Sequence, residues 1–286
     1  MYHGAQLSAA LAIATVLAGC NSDRPDGQAK SSAGSAAATP ASVTVKATDF
    51  GFEAPEKIVT GAVTMVLENH GKELHQAQVV RLEDGKTVED LAQALKNHGP
   101  PPSWVKWVGG PNGVAPGQRS NATAVLGPGN YAYLCLIPSP DGKLHSAKGM
   151  VRSFQVTATS STAAAELPAA DVTIKLVDYD FEPSQPLTSG RHTIMVENVG
   201  PQPHELVLVR LAPGKKVEDF ASWAESMKGP PPAEPMGGVV VLESGGRGTF
   251  TVDLTAGDYG FICFVPDTKD GKFHFAHGMM KNFKVS

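Results

Sequence analysis

The chain has 286 residues, with 24 Lys or Arg against 28 Asp or Glu and a formal net charge of −4. This balance offers no basic face for nucleic acid, while an apolar fraction of 42% suits a chain that buries real cores rather than a disordered one. Its 3 cysteines are too few for a disulfide-stapled scaffold and odd in number, so each needs its own explanation.

Residues 7–19 are apolar and uncharged, too short to span a bilayer as a helix but of the length of a signal-peptide core. The segment ends in Leu17-Ala18-Gly19-Cys20, which resembles the lipobox of bacterial lipoproteins. The resemblance implies a signal peptide over residues 1–19, cleavage before Cys20 and a lipid on its sulfur. The chain would then be held in the cell envelope facing the periplasm. Asn21 after the cysteine points to the outer rather than the inner membrane. Residues 1–6 depart from the pattern, having no Lys or Arg. Residues 20–40, rich in Ser, Ala and Gly, offer little apolar surface to repay ordering and read as a flexible tether.

The remainder is one unit written twice. Glu68-Asn69 precedes His75 as Glu197-Asn198 precedes His204, and Val80-Arg81-Leu82 returns as Val209-Arg210-Leu211. Gly85-Lys86 and Val88-Glu89-Asp90 return as Gly214-Lys215 and Val217-Glu218-Asp219. Asp141-Gly142-Lys143, His145 and Met150 return as Asp270-Gly271-Lys272, His274 and Met279. Most pairs lie 129 positions apart, a period of domain size. Two homologous domains are expected, at residues 41–158 and 170–286, with residues 159–169 as an Ala/Ser/Thr-rich linker.

In chain order the units read mostly as strands. Val43, Val45 and Ala47 alternate with polar residues, as do Val172, Ile174 and Leu176. Residues 64–67 and 193–196 are short apolar runs. A single helix follows in each unit: Val88, Leu91, Ala92 and Leu95 have helical spacing after Thr87 as N-cap, and Val217, Phe220, Ala221 and Ala224 match them. Gly99 and Gly229, each before three prolines, end these helices. Thr123 and Val125, like Phe250, Val252 and Leu254, mark a further strand. Residues 131–137 and 259–265 are the most apolar runs and read as central strands, and residues 151–156 and 281–285 close the units. The 30 Gly and 22 Pro punctuate these runs as in a many-turned sandwich.

Each unit carries a His after a strand-like turn, a late Cys, then a His and a Met: His75, Cys135, His145 and Met150, and His204, Cys263, His274 and Met279. Two imidazoles, a thiolate and a weak axial thioether make a blue-copper electron-transfer site, a mixed donor set that holds both Cu(I) and Cu(II). The His204-Glu205 and His75-Gln76 pairs, the Tyr259-to-Cys263 and Tyr131-to-Cys135 runs, and each His five positions before its Met resemble the cupredoxin family, which includes plastocyanin and azurin. The resemblance covers both repeats. It implies an all-β fold of two tandem cupredoxin-like Greek-key β-sandwich domains, each with one inserted short α-helix, and one or two type 1 copper ions per chain. The Cys-to-His spacings of 10 and 11 residues exceed those of small cupredoxins. Pro138, Pro140, Pro266 and the two Asp-Gly-Lys turns would have to fold this length back.

Taken singly, each feature has a plainer explanation. A Cys in an apolar strand is more often a small buried hydrophobe, the histidines can be turn residues, and the methionines can be core packing. A Cys135–Cys263 disulfide would have to bridge two domain cores. His277 lies near Met279, but its counterpart is Lys148, so His274 is the expected ligand. His70, His98 and His192 have no counterparts and are read as surface residues. Trp104 and Trp107 occur only in the first unit and are read as covering an edge or the domain interface. The Phe273-His274-Phe275 triplet suggests an apolar patch around an exposed ligand edge.

Multicopper oxidases and copper nitrite reductases also chain such domains, with a His directly beside the copper Cys. Here the neighbours are Leu134 and Leu136, or Ile262 and Phe264. The expectation is therefore a non-enzyme: a lipid-anchored electron carrier with a redox or copper-exchange partner in the envelope. Copper delivery or buffering without electron transfer, and a metal-free cupredoxin-like interaction module, are the alternatives.

Overall fold

The computed structural model describes residues 39–95, 102–158 and 165–286. The expected signal peptide, Cys20, nearly all of the tether, His98 and Gly99 lie outside them.

The first repeat opens with β1 (Ala41–Thr48), where Val45 and Ala47 are buried and the residues between them face solvent. It continues through β2 (Gly51–Glu53), β3 (Lys57–Val59), β4 (Gly61–Asn69), β5 (Gln78–Leu82), α1 (Val88–Leu95), β6 (Val105–Gly109), β7 (Arg119–Leu126), β8 (Gly129–Leu134) and β9 (Val151–Thr157). The second repeat follows the same order without a β3 equivalent: β10 (Val172–Val177), β11 (Asp180–Pro183), β12 (Gly190–Asn198), β13 (His204–Leu211), α2 (Val217–Ser226), β14 (Ala233–Leu242), β15 (Arg247–Leu254), β16 (Gly257–Ile262) and β17 (Met280–Val285).

These strands form two sheets that pass through both repeats. One has the order β11-β10-β12-β15-β7-β4-β1-β2, the other β17-β16-β13-β14-β6-β5-β8-β9-β3. Each repeat is thus a β-sandwich, with β1 parallel to β4 and β10 parallel to β12 among otherwise largely antiparallel partners. The fold is two tandem β-sandwiches, each with one short helix, the architecture the cupredoxin resemblance implies.

Between the sheets, Val45, Met65, Leu67, Tyr133, Cys135 and Met150 build the first core, and Ile174, Phe181, Phe250, Phe261, Cys263 and Met279 the second. The helices cover the outer face of the nine-stranded sheet. Leu91 packs with Val80, Leu82 and Leu134, and Phe220 with Val207, Val209 and Ile262. Strands β8 and β16 are therefore buried on both faces, which is why they read as unbroken apolar runs. The N-cap reading holds: Thr87 Oγ1 accepts the Asp90 N–H, and Asp90 returns the bond to the Thr87 N–H.

Strands β6 and β14 are absent from the sequence expectation, because Gly109-Gly110, Pro235 and Gly237-Gly238 look like turns. They carry the join between the repeats. Pro111 bridges its own repeat equivalent, Val239. Around this pair the Asn112 N–H donates to Gly238 O at 3.2 Å and the Val240 N–H to Gly110 O at 3.0 Å, a local two-fold relation. A Cβ on Gly110 would lie 2.3 Å from Ala77 O, and one on Gly238 2.1 Å from Leu206 O. Only glycine allows this crossing. In the other sheet Thr123 pairs with Thr249. Trp107 sits at the junction, its ring against the second core and its backbone N–H on Glu243.

Candidate metal centres

His75 and His204 stand at the end of loops that two asparagines hold in shape. Asn69 Nδ2 donates to the carbonyls of Glu73 and Val114, and its Oδ1 accepts the Gly71 N–H. Asn198 repeats the pattern with Gln202, Leu242 and Gly200. The asparagines of the Glu-Asn pairs that revealed the repeat thus shape the loop that delivers the first imidazole. Cys135 and Cys263 follow the last residues of β8 and β16.

The long Cys-to-His segments fold back on themselves. Pro138 bridges Leu144, and Pro266 bridges Phe273. The His145 N–H returns to Ile137 O at 3.0 Å, and the His274 N–H to Val265 O at 2.9 Å. The extra residues make a small hairpin, and the effective loop is short.

As a result His75, Cys135 and His145 converge, as do His204, Cys263 and His274, each triad with its donor atoms within 4.8 Å of one another and all three residues buried. His75 Nδ1 lies 3.1 Å from His145 Nδ1, and Cys135 Sγ 3.4 Å from the latter. The second triad repeats this at 2.9 Å and 3.4 Å. The N–H groups of Gln76 and Glu205 point at the two sulfurs at 3.5 Å. Met150 and Met279 are fully buried beside the triads. Their carbonyls accept the Cys135 and Cys263 N–H groups, and their own N–H groups donate to His145 O and His274 O. His274 rather than His277 faces Cys263. No disulfide links the two cysteines, which are both free and lie in separate cores.

The outer imidazole nitrogens meet carboxylates. His75 Nε2 donates to Asp49 at 2.8 Å, His145 Nε2 to Glu73 at 2.9 Å and His204 Nε2 to Asp178 at 2.6 Å. Sequence reading missed these carboxylates. A signal existed: Asp49 and Asp178 are repeat equivalents, as are Gly71 and Gly200. Each glycine makes room for the contact, since a Cβ on Gly71 would meet Asp49 Oδ1 at 2.3 Å and His75 Nε2 at 2.5 Å.

A carboxylate only accepts, so these Nε2 atoms carry the proton and the Nδ1 lone pairs are left bare. In the first triad two bare lone pairs face each other beside a sulfur, an arrangement that calls for a cation. The proton balance agrees. Burial pushes the Cys135 thiol up to about 12 and the Cys263 thiol higher still, so neither becomes a thiolate without a cation beside it. Burial also lowers His145 and His204, and brings His274 down to about 4, keeping these rings neutral. The donors, two imidazoles and one thiol with a thioether residue alongside, fit copper in either redox state.

The two centres are not copies. Glu73, on His145, is replaced by Gln202. Ser139 is replaced by Asp267, Phe50 by Tyr179 and Lys148 by His277. The Nε2 of His274 is consequently left buried without a partner, 3.9 Å from Asp267. Asp267 is instead satisfied by Tyr179 Oη, Gln202 Nε2 and the N–H groups of Lys269 and Asp270. With its acceptor sites filled, the Asp267/Asp270/His277 group is a hydrogen-bonded loop.

Two other expectations change. His145 and His274 have no exposed edge. Phe273 is exposed and stacks on Phe275, yet the imidazole between them in sequence is covered. His192 is buried rather than on the surface, between the Asp171 carboxylate and the Thr188 carbonyl. His70 is exposed, as expected.

No family model matches the chain, and no curated protein matches it. Among solved structures it is similar to a dithionite-reduced auracyanin from Roseiflexus castenholzii, at 20% identity over 43% of this chain and 99% of that one, TM-score 0.27. It is also similar to a blue copper oxidase from Nitrosomonas europaea, at 13% identity over 87% and 86%, TM-score 0.24. A copper-containing nitrite reductase from Thermus scotoductus matches at 12% identity over 86% and 61%, TM-score 0.23. The expectation of a non-enzyme is corrected here. It rested on the missing His beside each Cys, but the fold itself assembles two buried His–Cys–His groups. An enzymatic role stands open.

Proposed function

We propose that the chain is a copper protein that carries electrons, with type 1 sites at His75, Cys135, His145 and Met150 and at His204, Cys263, His274 and Met279. The observation that carries the reading is the pair of bare imidazole nitrogens held 3.1 Å apart beside a buried sulfur in the first triad, with the same convergence in the second. A bound copper ion would supply a one-electron couple. The protein's part is to hold the donors in place through both redox states. Strands and the carboxylate-anchored imidazoles do this, and burial of the whole donor set excludes water. Little rearrangement on electron transfer is the property such a carrier needs.

The same reading places the two domains at residues 41–158 and 170–286, anchored through lipidated Cys20 to the outer membrane and facing the periplasm. The lipobox resemblance supports the anchor, and a redox protein of the envelope is the implied partner.

The test is copper titration of the full chain, followed by absorption and electron paramagnetic resonance. An intense thiolate-to-Cu(II) band growing to two equivalents is expected. Tight Cu(I) binding with no band on oxidation would indicate copper delivery or buffering instead, and no uptake would leave a metal-free module.

A further inference from the structure

In both triads the second imidazole is fully buried, so no ligand edge meets solvent. An electron must therefore cross a covering residue, and the two repeats cover this imidazole differently. At the first triad Phe50 lies against His145, ring centroids 5.0 Å apart, and the Lys148 ammonium sits over Phe50 at 4.6 Å. Lys148 is fixed there by Asp141 at 3.1 Å. The aromatic contact ends in an aliphatic ammonium, with no further ring beyond it among the described residues.

At the second triad the cover continues outward as rings. Tyr179 meets His274 edge-on, with centroids 5.4 Å apart, and also stacks on His277 at 4.9 Å and 29°. The His277 side chain is 28% exposed, and its Nε2 donates to the Asp270 carboxylate at 3.2 Å. The phenol hydroxyl is held by the Asp267 carboxylate and by Gln202, which itself reaches Asp178 and Asp267. Tyr179 is thus gripped at its hydroxyl while its ring bridges a buried ligand and a solvent-facing imidazole. All four residues that build this bridge, Tyr179, Gln202, Asp267 and His277, differ from their first-repeat equivalents.

Resting on the copper reading above, we infer that the second centre exchanges electrons with the outside through Tyr179 and His277. Tyr179 is a positioning residue whose ring links His274 to the surface. One electron leaves copper(I) for an external one-electron acceptor, copper(II) remains, no bond forms or breaks, and the tyrosine keeps its proton throughout. The carboxylates of Asp178, Asp267 and Asp270 around this exit favour a cationic acceptor.

The test uses the full chain carrying Cys135→Ser, so that only the second centre retains its thiol. Oxidation of the copper(I) form by tris(phenanthroline)cobalt(III) is followed by stopped flow, with the absorption band and the reduction potential measured alongside. Tyr179→Leu is expected to slow oxidation by roughly tenfold or more at unchanged band and potential, while Tyr179→Phe, which keeps the ring, restores a rate close to that of the parent. His277→Ala, a surface change that spares the fold, is expected to slow it as well. A parent rate in Tyr179→Leu or in His277→Ala overturns the route, and so does a Phe variant as slow as the Leu variant. Absence of the band in the parent overturns the copper reading itself, and the route with it.

Discussion

Asp178 accepts a 2.6 Å hydrogen bond from His204 Nε2, and its repeat equivalent Asp49 accepts one from His75 Nε2 at 2.8 Å. Each carboxylate is about four-fifths covered, and each sets which imidazole nitrogen carries the proton. The metal-facing lone pair is therefore decided outside the donor set. Asp178→Asn retains the shape but offers a neutral amide, and copper affinity at the second centre should fall about 10–100-fold. Competition with a chelator, centre by centre in Cys→Ser backgrounds, reads this directly. An unchanged affinity would show that the carboxylate serves the loop rather than the ligand.

The same contact explains Gly200. A Cβ there would lie 2.8 Å from His204 Nε2 and 3.0 Å from Asp178 Oδ1. Gly200→Ala should cost about 1–3 kcal/mol of folding stability through overpacking and should also weaken copper binding, because the imidazole is what must move. Denaturant melts of the metal-free and copper-loaded forms check both effects.

Removing the sulfurs separates the centres. Cys135→Ser and Cys263→Ser should each delete one equivalent of copper and one share of the thiolate-to-Cu(II) absorption, and the double variant all of it. A band that survives in the double variant would refute the assignment of both thiols.

His192 predicts a pH dependence. Burial alone would lower its pKa, but the hydrogen bonds to Asp171 and to the Thr188 carbonyl outweigh burial and raise it above 6.5. Both ring nitrogens face acceptors, so the folded form favours the imidazolium. Its contribution is complete below the unfolded pKa of 6.5 and is lost as pH rises through the higher folded value. Asp171 is shifted down. Burial opposes this shift, but the His192 and Thr193 hydrogen bonds prevail, and its share is lost as pH falls below the ordinary carboxylate range. Stability should therefore decline from pH 6 to 8 by way of this pair, and His192→Gln should flatten that decline. Melting temperatures across the range, compared between parent and variant, decide it.

Asn121 ties the repeats across the eight-stranded sheet. Its amide donates to Thr251 O and accepts from the Thr251 N–H and hydroxyl. Asn121→Ala leaves those groups unpaired and should destabilise the chain by about 1–3 kcal/mol without altering the spectrum of either centre. Denaturant unfolding and the copper absorption band together test this.

Much of the molecule was legible in the chain itself. Val45 and Ala47 alternate with polar residues because one face of β1 is buried, and the run ending at Cys263 is unbroken because β16 is buried on both faces. Repetition places a His, a Cys, a His and a Met in the same order twice, so a candidate donor set is legible in the chain, and the fold brings two His and one Cys of each set together. What periodicity and spacing could not reveal depends on groups far apart in sequence. Residues 49 and 75 meet only when β1 and β4 pair, and Gly109-Gly110 looks like a turn until β6 crosses β14. The burial of His274 and the ring of Tyr179 laid over it are likewise products of packing. Composition and spacing thus determined which side chains are candidates for a metal site. The tertiary structure alone decided their protonation, their closure from solvent and the difference between the two centres, because hydrogen bonds and burial arise only where distant segments come into contact.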